Sequence, residues 1–579
     1  MTEPASAPTS GGPSRNEFLH RYGPLYGLLA VVLLVGVLAA TNQKGTPSTT
    51  SAGGATGGGS VVPGDPAFAP LPFAEAKAKG IRADFGAYCD ETTGRVAIPS
   101  SFAIPCYAKK ANNGASYQGV TATEIKIVLY QPPPDPIVDQ ILKVINANDT
   151  PEQVADTYRG FFQLYEEVYQ LYDRKIVVVP FKGSGVSFDP VSARADAVKI
   201  AEEIKPFAVI GGPLVAMEFS EELAAREVIQ IDLASARSMA FYEKSQPYIW
   251  NTLQAPDQTC LHVAEYLAKK LQGKPAVHAG DTVLQGKTRR FGLVYLGLTE
   301  EASKIQLECA EKIRAAGVDL VETVAYKDPI SLQATAAEQI AKMKQADVTS
   351  VLFTGDPLAP GPLTREATAQ GYFPEWIITG SALTDSTAFG RSYDQQQWAH
   401  AFGVSQLFAR GLPEGNFANQ LFKWFYGDFP PAKSGSLIAF SNATILVSGL
   451  QAAGPDLTPA TFQAGLFSGD PIGGGLTVPR VSFGSHGAWP KADFTALDDA
   501  VEVWWNPTLV GPDERGENAA GMLMYVDGGK RYLLGGWPAG DARAFDPEGA
   551  VDIYREVPDI DKLKEFPRPS NPPKAPGLP

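Results

Sequence analysis

The sequence predicts an α/β protein made of two doubly wound, Rossmann-like lobes. Short apolar runs without alternation, such as EIKIVLY (124–130) and KIVVVPF (175–181), are typical of parallel strands buried on both faces. Amphipathic stretches such as VSARADAVKIAEEIK (191–205) separate these runs and have helical spacing. The alternation restarts after residue 258, so the chain is expected to hold two units of similar size.

An uncharged apolar run, residues 22–41, lies near the start of the chain. About 20 such residues are enough for a helix to cross a bilayer. Arg21 precedes the run and few positive charges follow it, which places residues 1–21 in the cytoplasm. We therefore predict a single-pass membrane protein whose folded part is extracytoplasmic. Cleavage near Ala39 or Ala40 would instead make the run a secretory signal and the protein secreted.

A tether and an entry segment follow. Residues 42–66 are rich in Gly, Ser, Thr and Pro and are expected to be flexible. Residues 67–118 form an entry segment with two of the four cysteines. An even count outside the cytoplasm favours disulfides. Of three possible pairings we favour Cys89–Cys106 with Cys260–Cys309, and buried free thiols are the alternative.

The first unit continues with two further strands, FAVIGG (207–212) and VIQIDL (228–233), and a helix rich in aromatic residues at 151–173. The second unit has four predicted strands, at 289–297, 319–326, 348–356 and 376–381, with amphipathic helices between them. The end of the chain, residues 546–579, is a Pro-rich tail, and we expect it to be disordered from about residue 556.

Composition and motifs exclude several function classes. A net charge of −14 and a pI near 5.0 argue against nucleic acid as a partner. The five histidines have no metal-site spacing, and the sequence has no P-loop and no GxSxG motif. We predict that the protein is not an enzyme and that it needs no cofactor or metal.

The order of elements resembles a known family, the branched-chain amino-acid type of ABC-transporter solute-binding protein, which has the type I periplasmic-binding fold. The resemblance is carried by IAEEIKPFAVIGGP, RRFGLVYLG, REATAQGYFPEWIITGSAL and SNATILVSGLQAAGPDLTPATFQAGL, and it covers roughly residues 119–485. It implies a three-strand hinge near 250–255, 378–383 and 472–482. The implied boundaries are 119–253 and 383–475 for lobe 1, and 254–382 and 476–545 for lobe 2.

The resemblance also implies where a ligand binds in lobe 1. In this family an anionic group meets backbone N–H groups after the strands, as it does at a helix N-terminus. The matching turns here carry Gly212 and Leu214, and then Ala234, Ser235 and Arg237. Ser235 is the retained hydroxyl, and Arg237 would either pair with an anionic ligand or be a solvated surface arginine.

Asp356 is the corresponding candidate in lobe 2. The family places a carboxylate for the ligand's ammonium group after a lobe-2 strand, and Asp356 in FTGDP occupies about that position. The alternative is a capping or turn-forming aspartate before Pro357.

The sequence leaves two candidate functions open. The first is capture of a small solute, such as an amino acid or amide, and its delivery to an ABC permease, with membrane attachment through residues 22–41. The second is an anchored extracellular sensor or scavenger on the same fold that is not coupled to transport.

Overall fold

A computed structural model of the chain describes residues 66–578, apart from 234–236, 408, 410–411, 413–414, 476–477 and 553–562. The predicted membrane segment 22–41 and nearly all of the linker lie outside the described residues, as do Ala234 and Ser235.

The first sheet has five parallel strands in the order β4-β3-β5-β6-β7. Its strands are β3 (Glu124–Gln131), β4 (Lys175–Lys182), β5 (Ala208–Ile210), β6 (Ile229–Asp232) and β7 (Ile249–Asn251). All three residues of β5 and all four of β6 are buried, as expected for strands covered by helices on both faces. We call this sheet and the helices packed on it the first lobe.

The second sheet has eight strands and defines the second lobe. Five are parallel: β8 (Phe291–Leu296), β9 (Leu320–Tyr326), β10 (Ser350–Thr354), β11 (Glu375–Ile378) and β12 (Ala401–Ser405). Three antiparallel strands extend the sheet beyond β12: β13 (Asp499–Pro512), β14 (Asn518–Tyr525) and β15 (Arg531–Leu533). The parallel strands of both sheets confirm the predicted α/β class with two doubly wound lobes.

The helices alternate with these strands. They are α1 (Phe73–Lys79), α2 (Pro136–Val144), α3 (Pro151–Val168), α4 (Pro190–Lys199), α5 (Glu218–Ala225), α6 (Met239–Lys244), α7 (Pro256–Tyr266), α8 (Thr282–Gln285), α9 (Glu300–Ala315), α10 (Pro329–Gln345), α11 (Pro360–Ala369), α12 (Thr387–Gly390), α13 (Gln395–Trp398), α14 (Phe417–Tyr426), α15 (Ser436–Ala453) and α16 (Pro459–Phe467). Several begin in the same way, with an Asp or Thr cap followed by proline at the first helical position, as at Thr150-Pro151 and Asp328-Pro329.

The first-lobe core contains residues from two separate parts of the chain. Phe161 and Tyr165 of α3 are fully buried and belong to one cluster with Phe422 of α14 and Phe440 of α15. The aromatic helix is therefore core packing, as its spacing predicts. Within the described residues, α15 is also the one helix long and apolar enough to cross a membrane, but 72% of it is buried in this core.

The chain returns to the first lobe later than the sequence predicted. The expected crossing was at residue 383, but the chain first forms β12, which pairs with β11 through Trp376↔Ala401. The crossing therefore lies between β12 and α14. Gly403 weakened the strand signal of β12. The structure needs a glycine there, because a Cβ would lie 2.0 Å from the carbonyl oxygen of Ile378.

The entry segment folds onto the first lobe. It contains a two-stranded antiparallel ribbon, β1 (Cys89–Asp90) and β2 (Arg95–Val96), and the Cys89–Cys106 disulfide. Phe102 packs against Phe417 and Phe440 with ring centroids 5.5 and 5.4 Å apart. The second disulfide joins Cys260 to Cys309, so both predicted pairings are confirmed.

The described part of the Pro-rich tail from residue 563 is held on the first lobe by specific contacts, contrary to the expectation of disorder. Within residues 563–578, Ala575 is buried in the first-lobe core. The backbone carbonyl of Phe566 accepts a hydrogen bond of 2.9 Å from Trp424 Nε1, and Arg568 donates to the carbonyls that end α14. These contacts fix the tail although its composition lacks a core of its own.

Removal of residues 563–579 is expected to destabilise the first lobe by about 2–3 kcal/mol, because it deletes several hydrogen bonds and exposes apolar surface. Urea unfolding of the truncated chain tests this value. A midpoint equal to that of the parent would show that the tail contributes nothing to stability.

Candidate functional site

The carboxyl end of β7 in the first lobe meets the carboxyl end of β12 in the second lobe at the hinge. The backbone N–H of Gln254, which follows β7, donates a hydrogen bond of 3.2 Å to Oε1 of Gln406, just after β12. Asn251 forms an isolated parallel β-bridge with Thr495, in the segment where the chain crosses between the lobes for the third time. In open α/β sheets, ligands bind outside the carboxyl ends of the strands. The cleft between these strand ends is therefore the candidate site.

Arg237 is paired inside the first lobe, which rules out the interpretation as a solvated surface arginine. Its Nη1 lies 3.0 and 2.8 Å from the two carboxylate oxygens of Asp232, at the end of β6. Both side chains are buried, with 1% and 5% of their surfaces exposed. Arg237 is thus not a solvated surface arginine, and its charge is already compensated by Asp232.

Asp232 organises the neighbouring strand ends as well. Gln230 Nε2 donates to Asp232 at 2.8 Å and to the carbonyl oxygen of Gly211 at 3.1 Å. Asn251 Nδ2 donates to the hydroxyl of Tyr242 at 2.8 Å. This polar network connects the ends of β5, β6 and β7. Sequence reasoning overlooked Asp232, although an acidic residue at the end of the apolar run VIQIDL is a usable signal.

Gly212 and Leu214 lie in the turn after β5, next to this network. A Cβ on Gly212 would lie 2.6 Å from Gln230 Nε2, so the turn needs a glycine to pass over that side chain. Leu214 is 38% exposed. The carbonyl of Ser187, after β4, accepts the N–H groups of Val215 and Ala216 at 3.2 and 3.0 Å. The loops after β4 and β5 therefore form one rim.

Asp356 is a capping residue in the second lobe. One of its carboxylate oxygens accepts the N–H groups of Leu358 and Ala359 at 2.9 and 3.0 Å, and the other accepts the hydroxyl of Tyr326 at 2.6 Å. The carboxylate is 7% exposed, and burial raises its pKa. These contacts match the turn-forming alternative. Gly212 and Leu214 thus lie on one rim of the first lobe, and Arg237 is buried against Asp232 at the end of β6. Asp356 shapes a strand end of the second lobe.

A set of buried acidic residues lies in the third crossing of the hinge. Thr495 Oγ1 donates to Asp493 at 3.3 Å, and Ser482 Oγ donates to Asp498 at 2.6 Å. Burial and the nearby Asp498 charge raise the pKa of Asp493 to about 8, and burial raises the pKa of Asp498 to about 7. Among the described residues, no group of three or more His, Cys, Asp or Glu side chains is arranged to hold a metal ion.

Replacing Asp493 with asparagine is expected to remove part of the pH dependence of stability. The native carboxyl keeps its proton up to about pH 8, whereas the unfolded one loses it near pH 4, so the native state binds more protons in this window. Its contribution to stability therefore falls as the pH rises from 4 to 8. Between pH 5 and pH 8.5, the free energy of unfolding of Asp493→Asn relative to that of the parent should therefore rise by roughly 2–4 kcal/mol. Denaturant unfolding of both proteins at pH 5 and at pH 8.5 tests this prediction. The same difference in stability between variant and parent at the two pH values would contradict it.

Two surface depressions lie away from the cleft. One, of about 710 Å³, is lined by α4 and the start of α5, including Val191 and Arg194. The other, of about 550 Å³, lies at the opposite ends of β3 and β4, near Glu124 and Lys175. Neither combines side chains from both lobes.

Comparison with known proteins gives a family match. Residues 171–488, more than half of the chain, match the family described as periplasmic binding protein. No curated protein matches the sequence.

Three solved structures illustrate the likeness at the level of coordinates. A solute-binding protein of an ABC transporter from Rhodopseudomonas palustris BisB5, in complex with 3,4-dihydroxybenzoic acid, is 12% identical, with 69% of this chain and 97% of that chain covered and a TM-score of 0.47. A branched-chain amino acid transporter substrate-binding protein from Streptococcus pneumoniae, in complex with isoleucine, is 13% identical, with 70% and 100% covered and a TM-score of 0.44. A fatty acid ABC transporter substrate-binding protein from Thermomonospora curvata is 15% identical, with 74% and 98% covered and a TM-score of 0.46.

Proposed function

The chain belongs to the periplasmic binding protein family, and from this membership we propose that it is an extracytoplasmic solute-binding protein. It captures a small molecule, such as an amino acid, an amide or a related polar solute, in the cleft between its two lobes. The observation that carries this proposal is the convergence of the strand ends of both sheets at a hinge that the chain crosses three times.

In the first lobe, solute recognition is assigned to the rim that carries Gly212 and Leu214 and to the turn with Ala234 and Ser235. Since Asp232 already neutralises Arg237, the ion pair fixes the shape of this rim and does not itself offer a free charge. We propose the backbone N–H groups of Gly212 and Leu214, in the turn after β5, as donors to an anionic group of the solute. In the second lobe, Asp356 positions the turn after β10.

We further propose that the solute is passed to an ABC permease, and that residues 22–41 anchor the protein in the membrane. The uncharged run flanked by Arg21 supports the anchor. N-terminal sequencing of the native protein distinguishes the two outcomes: a mature N-terminus between residues 38 and 45 would identify a cleaved signal.

The proposal is tested by mass spectrometry of small molecules released when the purified full-length chain is denatured. We expect one solute at close to one per chain. Leu214→Trp, which places a bulky side chain on the rim, should abolish its retention. Val191→Trp is the matched control, because Val191 is 76% exposed on the outer helix α4. Equal retention by both variants would show that the solute binds elsewhere.

A further inference from the structure

The segment between β3 and α3 extends away from the first lobe while both of its ends are fixed there. Asp135 caps α2 by accepting the N–H of Ile137 at 3.0 Å, and its other oxygen accepts the N–H of Ser187 at 3.1 Å. At the far end, Asp149 accepts the N–H groups of Ser434 and Gly435 at 2.9 and 2.7 Å. Helix α2 is therefore held between two fixed points of the first lobe.

The middle of this segment contacts the second lobe. Ile141, Val144 and Ile145 pack against the second-lobe core, which includes Phe353, Ile378 and Phe389. Arg515 Nη1 donates a hydrogen bond of 2.8 Å to the carbonyl oxygen of Val144. These are direct contacts between a helix of the first lobe and the body of the second.

The second-lobe turn that contacts α2 is itself held in place by hydrogen bonds. Arg515 lies in the turn between β13 and β14, where its Nε donates to the buried carboxylate of Asp513 at 3.0 Å. The adjacent Glu514 accepts the N–H groups of Thr387 and Ala388, at 2.8 and 2.9 Å, at the start of α12. The carbonyl at the end of α2 is thus bound by a side chain that is anchored in the second lobe.

Helix α2 contributes little to the core of its own lobe. None of its residues is buried, and Leu142 is 37% exposed. Apolar residues nevertheless make up most of PIVDQILKV, and Ile141 and Val144 are the ones directed to the other lobe. An amphipathic helix of this kind gains its packing from the partner surface and not from the lobe that carries it.

We propose that α2 is a clamp that stabilises the arrangement of the two lobes described above by docking on the second lobe beside the turn 513–517. A hinge motion that separates the lobes must break the Ile141, Val144 and Arg515 contacts. Contacts made in one arrangement only shift the equilibrium toward it. Losing them should favour the separated arrangement about tenfold or more. The inference goes beyond solute binding, and its test needs no solute.

The test is a distance measurement by electron-electron double resonance on the full-length chain in detergent. Spin labels are placed at Lys182→Cys and Lys327→Cys, two exposed positions at the carboxyl ends of the edge strands β4 and β9. The four native cysteines are paired in disulfides and do not react with the label. The variants are Ile141→Asn with Val144→Asn, and separately Arg515→Ala, which leaves the sequence of α2 unchanged. Leu142→Asn, on the exposed side of the same helix, is the matched control.

We expect the interlobe distance distribution to shift to longer distances in the Ile141/Val144 double variant and in Arg515→Ala, and to stay at the parental position in Leu142→Asn. The proposal is overturned if neither of the first two differs from the parent. It is also overturned if Leu142→Asn shifts the distribution as much as they do, because the effect would then come from α2 unfolding. Circular dichroism and thermal unfolding of each variant verify that both lobes remain folded.

Discussion

Asp232→Ala is expected to destabilise the protein by about 3–5 kcal/mol, because it leaves the Arg237 guanidinium buried without its counter-charge. Only 1% of the arginine side chain is exposed, and Nη1 contacts both oxygens of Asp232, so water has little access to replace the carboxylate. The variant also removes an acceptor for Gln230 and so loosens the rim that carries Gly212. Urea unfolding measures the loss.

A double-mutant cycle separates this ion pair from the packing around it. Combining Asp232→Ala with Arg237→Ala removes both charges, so the double variant should lose less than the sum of the two single variants by about 1–3 kcal/mol. Simple additivity would mean that the two side chains act independently. A loss below about 1 kcal/mol for Asp232→Ala would show that the buried pair is not formed in solution.

Loss of the Cys260–Cys309 disulfide is expected to have the second large effect. The bridge joins α7 to α9 across 49 residues, and restricting a loop of this length in the unfolded chain stabilises the fold by about 4 kcal/mol. The same relation gives about 3 kcal/mol for Cys89–Cys106, which spans 17 residues. Paired Cys→Ser variants at each site, unfolded in urea without reductant, should rank in that order.

These losses of stability are expected only if both disulfides form in the native protein. Peptide mapping under non-reducing conditions should recover both bridges. Alkylation of Cys260 or Cys309 in the folded chain would contradict the pairing, and so would a double serine variant as stable as the parent.

The strands and core helices were predictable because their residues carry a local signal. EIKIVLY is apolar over the length of a strand and is buried along most of it, as predicted. KIVVVPF was also correctly predicted as a strand, but it forms the edge strand β4, where only Phe181 is buried, so burial on both faces was wrong for it. Cap-proline pairs such as Asp328-Pro329 mark helix starts in the same local way.

The features that the sequence did not predict correctly depend on contacts that leave no periodic pattern in the sequence. The Pro-rich tail has no periodic pattern of apolar residues. It is held by hydrogen bonds to Trp424 and to the carboxyl end of α14, more than a hundred residues earlier. Arg237 looks like a surface charge in the sequence, where nothing indicates its ion pair with Asp232, five residues before it. The sequence of α2 gives no sign of its contact with the second lobe, because Arg515, which binds the carbonyl of Val144, is 371 residues away.

The most direct test of the central claim, that the protein captures a solute between its lobes, is the Lys182–Lys327 interlobe distance. It is measured on the full-length chain with and without each member of a panel of amino acids, amides and small carboxylic acids. At least one compound should shorten or narrow the distance distribution, saturating at one molecule per chain, and Leu214→Trp should abolish the response. A compound that binds at one per chain and leaves the distribution unchanged would contradict capture between the lobes.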